Sequence, residues 1–278
     1  MKIQRRDFLK TSLVASASAA VASHAGAAAA SPATAGREYY DLRCYRLKAG
    51  APTATLDAYF EKALLPALAK RGVSHVGVFT EIEIVDRNAA SSKPKADTPV
   101  WVLIPHASLE TFASVNADIN TDADVKQAGA AYLQIGRETP AYERIDSWLL
   151  RAFRSMPKIE LPAFSRNRVP TRVFEMRTYE SYSEERALAK MAMFDEGEAQ
   201  LMRDLGMAPV FFGQAIAGPN LPHLTYFTSG PDLAAHFNAW KKFGPDPRWL
   251  AMKDLPQYKD TVSKNTPRFL VPRPYSQI

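Results

Sequence analysis

"YDLRCYR" (Tyr40–Arg46) and "FEMRTYE" (Phe174–Glu180) write nearly the same seven-residue pattern at two places in one chain of 278 residues. Strand side chains alternate between faces. Each stretch therefore predicts a strand with two unlike faces. Tyr40, Leu42 and Cys44 share one face in the first copy, and Asp41, Arg43 and Tyr45 share the other. In the second copy Phe174, Met176 and Thr178 oppose Glu175, Arg177 and Tyr179.

The correspondence continues outward at a constant offset. Phe194 falls on Phe60, Gly206 on Gly72 and Val210 on Val76. Further on the offset shortens by ten, so that Leu233 falls on Leu109, Asp246 on Asp122 and Arg268 on Arg144. The first copy thus holds ten extra residues between Phe79 and Trp101, where "DRNAASSKPKADTP" reads as a solvated loop. Two halves sharing one plan are expected, 36–153 and 171–278, joined by a Pro-rich basic linker over 154–170.

Each half reads β-α-β-β-α-β. In the first, residues 39–46 alternate as a strand, and Leu56, Phe60, Ala63 and Leu64 recur at helical spacing. Pro66 should kink that helix and Gly72 should close it. "VSHVGVFT" and "VWVLI" are further strands, Ser108 opens a second helix, and "YERIDSWLL" ends the unit. The second half has strands near 172–180, 208–214, 223–228 and 267–271, with helices after Ser183, after Pro231 and at "DPRWLAMK". This order predicts an α+β fold of two ferredoxin-like (βαββαβ) repeats. Each repeat leaves one sheet face bare, so the two sheets are expected to pack face to face as a barrel within one chain.

Residues 1–35 are set apart. "RRDFLK" (Arg5–Lys10) is a twin-arginine motif, followed by an alanine-rich apolar stretch and small-residue cleavage sites at Ala25-Gly26-Ala27 and Ala33-Thr34-Ala35. The order predicts export of a folded protein to the periplasm. No segment of about 20 apolar residues follows, so no membrane span is expected in the mature form. The formal net charge of +6 falls to +3 without Lys2, Arg5, Arg6, Lys10 and Asp7. No basic block with interleaved aromatics remains, which argues against nucleic acid.

The motifs exclude several chemistries. Cys44 is the only cysteine, which excludes an internal disulfide, a multi-cysteine zinc site and a cluster held by one chain. No nucleophile elbow, phosphate loop or H-E-x-x-H occurs, so neither a usual hydrolase nor an NTPase is expected. No metal and no cofactor is expected.

The stretches "YDLRCYRLKAG", "LLPALAKRGVSHVGVF", "VLIPHASLETF", "FEMRTYE" and "DPRWL" resemble the NIPSNAP family of the dimeric α/β-barrel superfamily. The likeness covers roughly residues 38–150 and 171–275. It departs at Asp122–Val125, "DADV", where the second half has "DPRW". The resemblance implies the barrel and assigns little chemistry. The wider superfamily holds small-molecule monooxygenases and haem enzymes, an analogy of fold only.

The apolar strand faces should meet the helices, leaving the acid–Arg–Tyr faces to line the barrel. There Asp41, Arg43, Tyr45, Glu175, Arg177 and Tyr179 would either neutralise one another or hold a small anionic or carbonyl ligand. Inward-pointing Arg144 and Arg268 would favour the anion. His75, placed on the second strand, is the candidate acid/base. The expected function is a small-molecule-binding or interaction protein using the lumen, with homo-oligomerisation left open. The alternatives are a cofactor-free oxygenase or isomerase on a small carbonyl compound, or a haem enzyme calling on His75 or His236.

Overall fold

The computed structural model describes residues 36–48 and 50–278; the export signal and spacer expected over 1–35 lie outside the described residues. The first half runs β1 (Tyr39–Arg46), α1 (Ala54–Tyr59), α2 (Leu65–Lys70), β2 (Gly77–Asp86), β3 (Ser91–Pro94), β4 (Val100–His106), α3 (Leu109–Asp118), α4 (Ala123–Ala128), α5 (Ala130–Leu133) and β5 (Arg144–Ala152). After a short α6 (Ala163–Arg166) come β6 (Val173–Glu180), α7 (Glu184–Met193), α8 (Ala199–Asp204), β7 (Phe211–Ala217), β8 (His223–Gly230), α9 (Leu233–Phe243), α10 (Pro247–Lys253) and β9 (Lys264–Pro272).

The helices begin where the sequence supplies caps. Ser108, Asp122, Ser183, Asp232 and Asp246 each accept a backbone N–H of the following turn. A π turn, Phe60–Leu64, joins α1 to α2, and a second, Phe194–Glu198, joins α7 to α8. Pro66 lies two residues after the end of the first of these, and the backbone stays helical at Leu65. Gly72 and Gly206 end α2 and α8 at φ 74° and 78°, a left-handed turn that glycine adopts without a Cβ penalty. The amide of the next residue then bonds back five residues, Val73 to Leu68 and Met207 to Met202.

All strand pairings are antiparallel. The first half orders its strands β2-β4-β1-β5 and the second β7-β8-β6-β9. The halves join twice, through β5–β7 and through β2–β9, so the sheet closes on itself as a barrel. Inside it an apolar cluster draws Tyr40, Leu42, Cys44, Phe79 and Trp101 from one half and Phe174, Met176, Phe211, Phe227 and Leu270 from the other. Outside, α1 to α4 cover the first four strands and α7 to α9 the last four, each over its own apolar layer.

Two expectations about connections change. Within "DRNAASSKPKADTP" Ser91–Pro94 forms a strand on the far half of β2, because Asp86 Oδ1 accepts the amides of Asn88 and Ala89 and turns the chain. The linker is docked: Ile159 and Leu161 pack on the barrel's apolar cluster, and the amides of Ile159 and Glu160 bond Glu38 Oε2 and Val210 O. With buried Ile278, these residues pack against the end opposite the cavity described below.

Candidate functional site

The acid–Arg–Tyr faces point away from the lumen, contrary to expectation. In the first half Asp41 is fully buried; Arg43 donates to it at 2.8 Å, Ser147 Oγ at 2.8 Å and Asn116 Nδ2 at 3.2 Å. Asn116 belongs to α3, and Tyr45 packs among the α1 and α2 side chains. In the second half Arg177 donates to Glu175 at 2.8 Å and lies 3.9 Å from the Trp240 ring centre. His236 Nε2, on α9, stands 2.8 Å from the other oxygen of Glu175. Tyr179 and Tyr226 hydroxyls meet at 2.9 Å. Burial alone would raise the Glu175 carboxyl; the hydrogen bond from His236 and the charge of Arg177 outweigh it and hold the group below its ordinary value. Burial would likewise lower Arg43, but Asp41 overrides it and raises the guanidinium. These six residues form two separate neutralised networks beneath helices.

The physical reason is the supply of partners. Toward the packed end the lumen presents apolar rings, and a charge there would be dehydrated and unpaired. The helices bring Asn116 and His236 to the outer face, and β5 brings Ser147.

The lumen itself holds a cavity of about 150 Å³. Leu42, Met176, Trp101 and Trp148 make its apolar wall, and Thr178, Thr225, His223 and Arg268 supply polar groups. Trp101 and Trp148 stack at 5.9 Å between ring centres. Thr178 and Thr225 hydroxyls lie 3.1 Å apart, and Thr225 Oγ1 is 3.4 Å from His223 Nδ1. His223 is buried, its Nε2 has no hydrogen-bond partner among the described residues, and burial lowers its pKa, which favours the neutral ring. Beneath the cavity the barrel is packed shut by rings, among them Phe79 against Phe174 and Tyr40 against Phe211.

His75, the candidate acid/base, is not on β2. It sits before the strand on an exposed turn with φ 60°, and does not line the lumen cavity. His236, the other candidate axial ligand, is committed to Glu175 beneath α9. Arg268 does line the cavity; Arg144 lines a separate surface cleft. His223, Thr178 and Thr225 were missed as site residues. Strand parity was the available signal, since Thr178 continues the Phe174–Met176 face of β6.

Residues 174–277 match the NIPSNAP family model, and residues 2–22 match the twin-arginine translocation pathway signal sequence. The family match thus falls on the second half of the chain, and the protein is exported by the twin-arginine route to the periplasm. No helix among the described residues is long and apolar enough to cross a membrane. No curated protein matches the sequence. A solved structure from Lactobacillus acidophilus, provisionally assigned as a monooxygenase, superposes with TM-score 0.52 at 9% identity over 85% of this chain and 94% of that one. One from Fusobacterium nucleatum, with the same provisional assignment, gives 0.51 at 12% over 86% and 93%. A NIPSNAP family protein from Agrobacterium tumefaciens is 16% identical, covering 38% of this chain and 96% of that one, with TM-score 0.34. At these identities the first two likenesses establish a shared α+β barrel and leave activity unassigned.

Proposed function

We propose that this exported NIPSNAP-like protein binds a small, flat molecule in the lumen of a barrel built from two copies of one ferredoxin-like unit. Several features support the duplication. Both halves order their strands alike, carry π turns beginning at Phe60 and Phe194, close a helix on Gly72 and Gly206, and cap later helices with Ser108 and Asp122 or Asp232 and Asp246. Such a duplication lets one chain supply both sheets of a barrel.

The observation that carries the binding reading is the cavity. Leu42, Met176, Trp101 and Trp148 give it one apolar, aromatic side, the rest of its lining is polar, and His223 is buried there with an unpartnered nitrogen. An unpaired buried polar group costs roughly 1–3 kcal/mol, and ligand sites combine apolar walls with a few such groups. A cavity near 150 Å³ takes a ring about the size of benzene. The test follows Trp101 and Trp148 fluorescence while small aromatic acids, amides and ketones are titrated. Saturable change that disappears in Trp148→Leu is expected. No saturable response from any class would refute lumen binding.

A second reading, a cofactor-free oxygenase or isomerase acting on a small carbonyl compound, has one observation in its favour. A neutral His223, with Thr225 beside Nδ1, is a proton acceptor on the cavity wall. Turnover of a bound carbonyl compound, lost in His223→Gln while binding persists, would support it. Binding without turnover would leave the protein a binder.

A further inference from the structure

The open end of the barrel carries an uneven set of charges. Strand alternation brings Arg46 on β1 and Arg144 on β5 to the lumen side of this end, and the two are direct cross-strand partners. Like charges placed so are destabilising. β9 adds Lys264 and Arg268, and Lys95 follows β3. Against these five cations stand three anions, Asp146, Glu81 and Glu180. Asp146 pairs with Arg46 at 3.2 Å and Glu180 with Lys264 at 3.2 Å. Beside Arg46 and Arg144, Lys48 and Glu143 cancel one another in net charge.

Glu81 is the decisive group, because it is shared. It is almost fully buried, receives the Trp101 indole N–H at 2.9 Å, and is bonded by Lys95. Arg268 reaches it only at 3.4 Å through Nε. One carboxylate thus serves two cations, and Arg268 is the more loosely held. Its guanidinium carbon stands 5.3 Å from the Trp101 ring centre, and the side chain lines the lumen cavity. The described residues offer its two terminal nitrogens no hydrogen bond. A guanidinium in that state fits a carboxylate through two parallel hydrogen bonds.

We infer that the lumen ligand is a carboxylate anion, its acid group on Arg268 and its ring or short chain against Trp101, Trp148, Leu42 and Met176. This rests on the lumen-binding reading and adds the chemical class. The surplus positive charge at the mouth would draw such an anion in, an effect that salt screens.

The experiment compares acids with their own amides: acetate with acetamide, benzoate with benzamide, phenylacetate with phenylacetamide. Calorimetry and tryptophan fluorescence measure affinity for wild type, Arg268→Gln and Arg268→Lys, with circular dichroism confirming the fold. At least one acid should bind about ten-fold or more tighter than its amide, a ratio worth about 1.4 kcal/mol. That ratio should vanish in Arg268→Gln, be partly retained in Arg268→Lys, and fall as salt is raised in wild type. The salt series uses no variant, so it tests the inference even if Arg268→Gln fails to fold. Equal affinity for acid and amide, a preference that survives Arg268→Gln, or one indifferent to salt would overturn the carboxylate assignment and leave lumen binding standing. If no acid and no amide binds, the carboxylate assignment falls, and lumen binding falls with it when ketones also give no response.

Discussion

β1 and β6 each have two faces, and the two faces were built on opposite terms. On the outer face Asp41 and Glu175 are buried, and each is paired with a half-buried arginine, Arg43 or Arg177. On the inner face Leu42, Cys44 and Met176 are apolar, and polar groups appear only toward one end. The usual expectation puts apolar residues under helices and charges toward an open lumen. On β1 and β6 that order is inverted, while the neighbouring strands still present apolar layers to the helices. The end of the lumen packed by aromatic rings has nothing to offer a charge, whereas an amphipathic helix can present an amide or an imidazole. The outer charges already have partners, and the polar groups to examine for function are those that interrupt the apolar face.

The sharpest way to break this contrast is to remove one arginine from the outer face. Arg43→Ala and Arg177→Ala each leave a fully buried carboxylate without its guanidinium, and removing one partner of a buried pair costs roughly 3–5 kcal/mol. Urea denaturation should show that loss in each variant. The two networks share no hydrogen bond among the described residues, so the double variant should be additive to within about 0.5 kcal/mol. A large departure from additivity would mean that the networks communicate through the barrel. The Glu175 carboxyl sits below its ordinary value of 4.5 in the fold. The stabilisation that Arg177 gives it is present above that value and is lost as pH falls through the lowered one. The Arg177→Ala deficit should accordingly shrink below about pH 4.5. Stability unchanged in both variants would remove the structural role.

The sequence pattern carried the alternation of the strands at "DLR-Y" and "EMR-Y" and the helix starts at Ser108, Ser183 and Asp246, because periodicity and caps are local. It did not carry which face turned inward. That choice depends on Asn116, Ser147 and His236, which are 75, 106 and 61 residues from the acids they bond. His75 was misplaced for a local reason. "VSHVGVFT" reads as one strand, but His75 adopts φ 60° and the ladder starts at Gly77. His223 was readable only as a strand end, since nothing near it in the chain reveals the cavity it lines.

A second, smaller effect separates the two halves. His236 on the second outer face has Glu175; His106, at the end of β4, is fully buried and neither ring nitrogen has a partner among the described residues. Its edge meets Phe112 at 5.6 Å. Burial pushes the imidazole down to about 4. The unfolded chain takes up that proton near pH 6.5 and the folded chain only near 4. Stability contributed by the neutral ring is therefore present above about pH 6.5 and is lost progressively as pH falls to about 4, by up to about 3 kcal/mol. His106→Leu should flatten the stability profile across that window. An unchanged profile in the variant would show that another group controls acid unfolding.

The smallest expected effect lies at the mouth, where the contrast between paired and functional charge is most open to attack. Lys264 and Glu180 form a pair at 3.2 Å with the lysine 64% exposed, and Arg46 is 54% exposed beside Asp146. Exposed pairs are screened by water and salt and contribute about 0–1 kcal/mol. Lys264→Gln and Arg46→Gln should therefore shift the urea midpoint far less than Arg43→Ala or Arg177→Ala. If the mouth charges were instead a structural ring, each removal would leave a dehydrated partner and cost as much as the outer-face variants. Dehydration is the deciding quantity: Asp41 and Glu175 are fully buried, whereas Glu180 keeps 25% of its side chain exposed. A carboxylate that still sees water loses little when its lysine is removed. A midpoint shift in Lys264→Gln equal to that of Arg177→Ala would erase the distinction between the two faces.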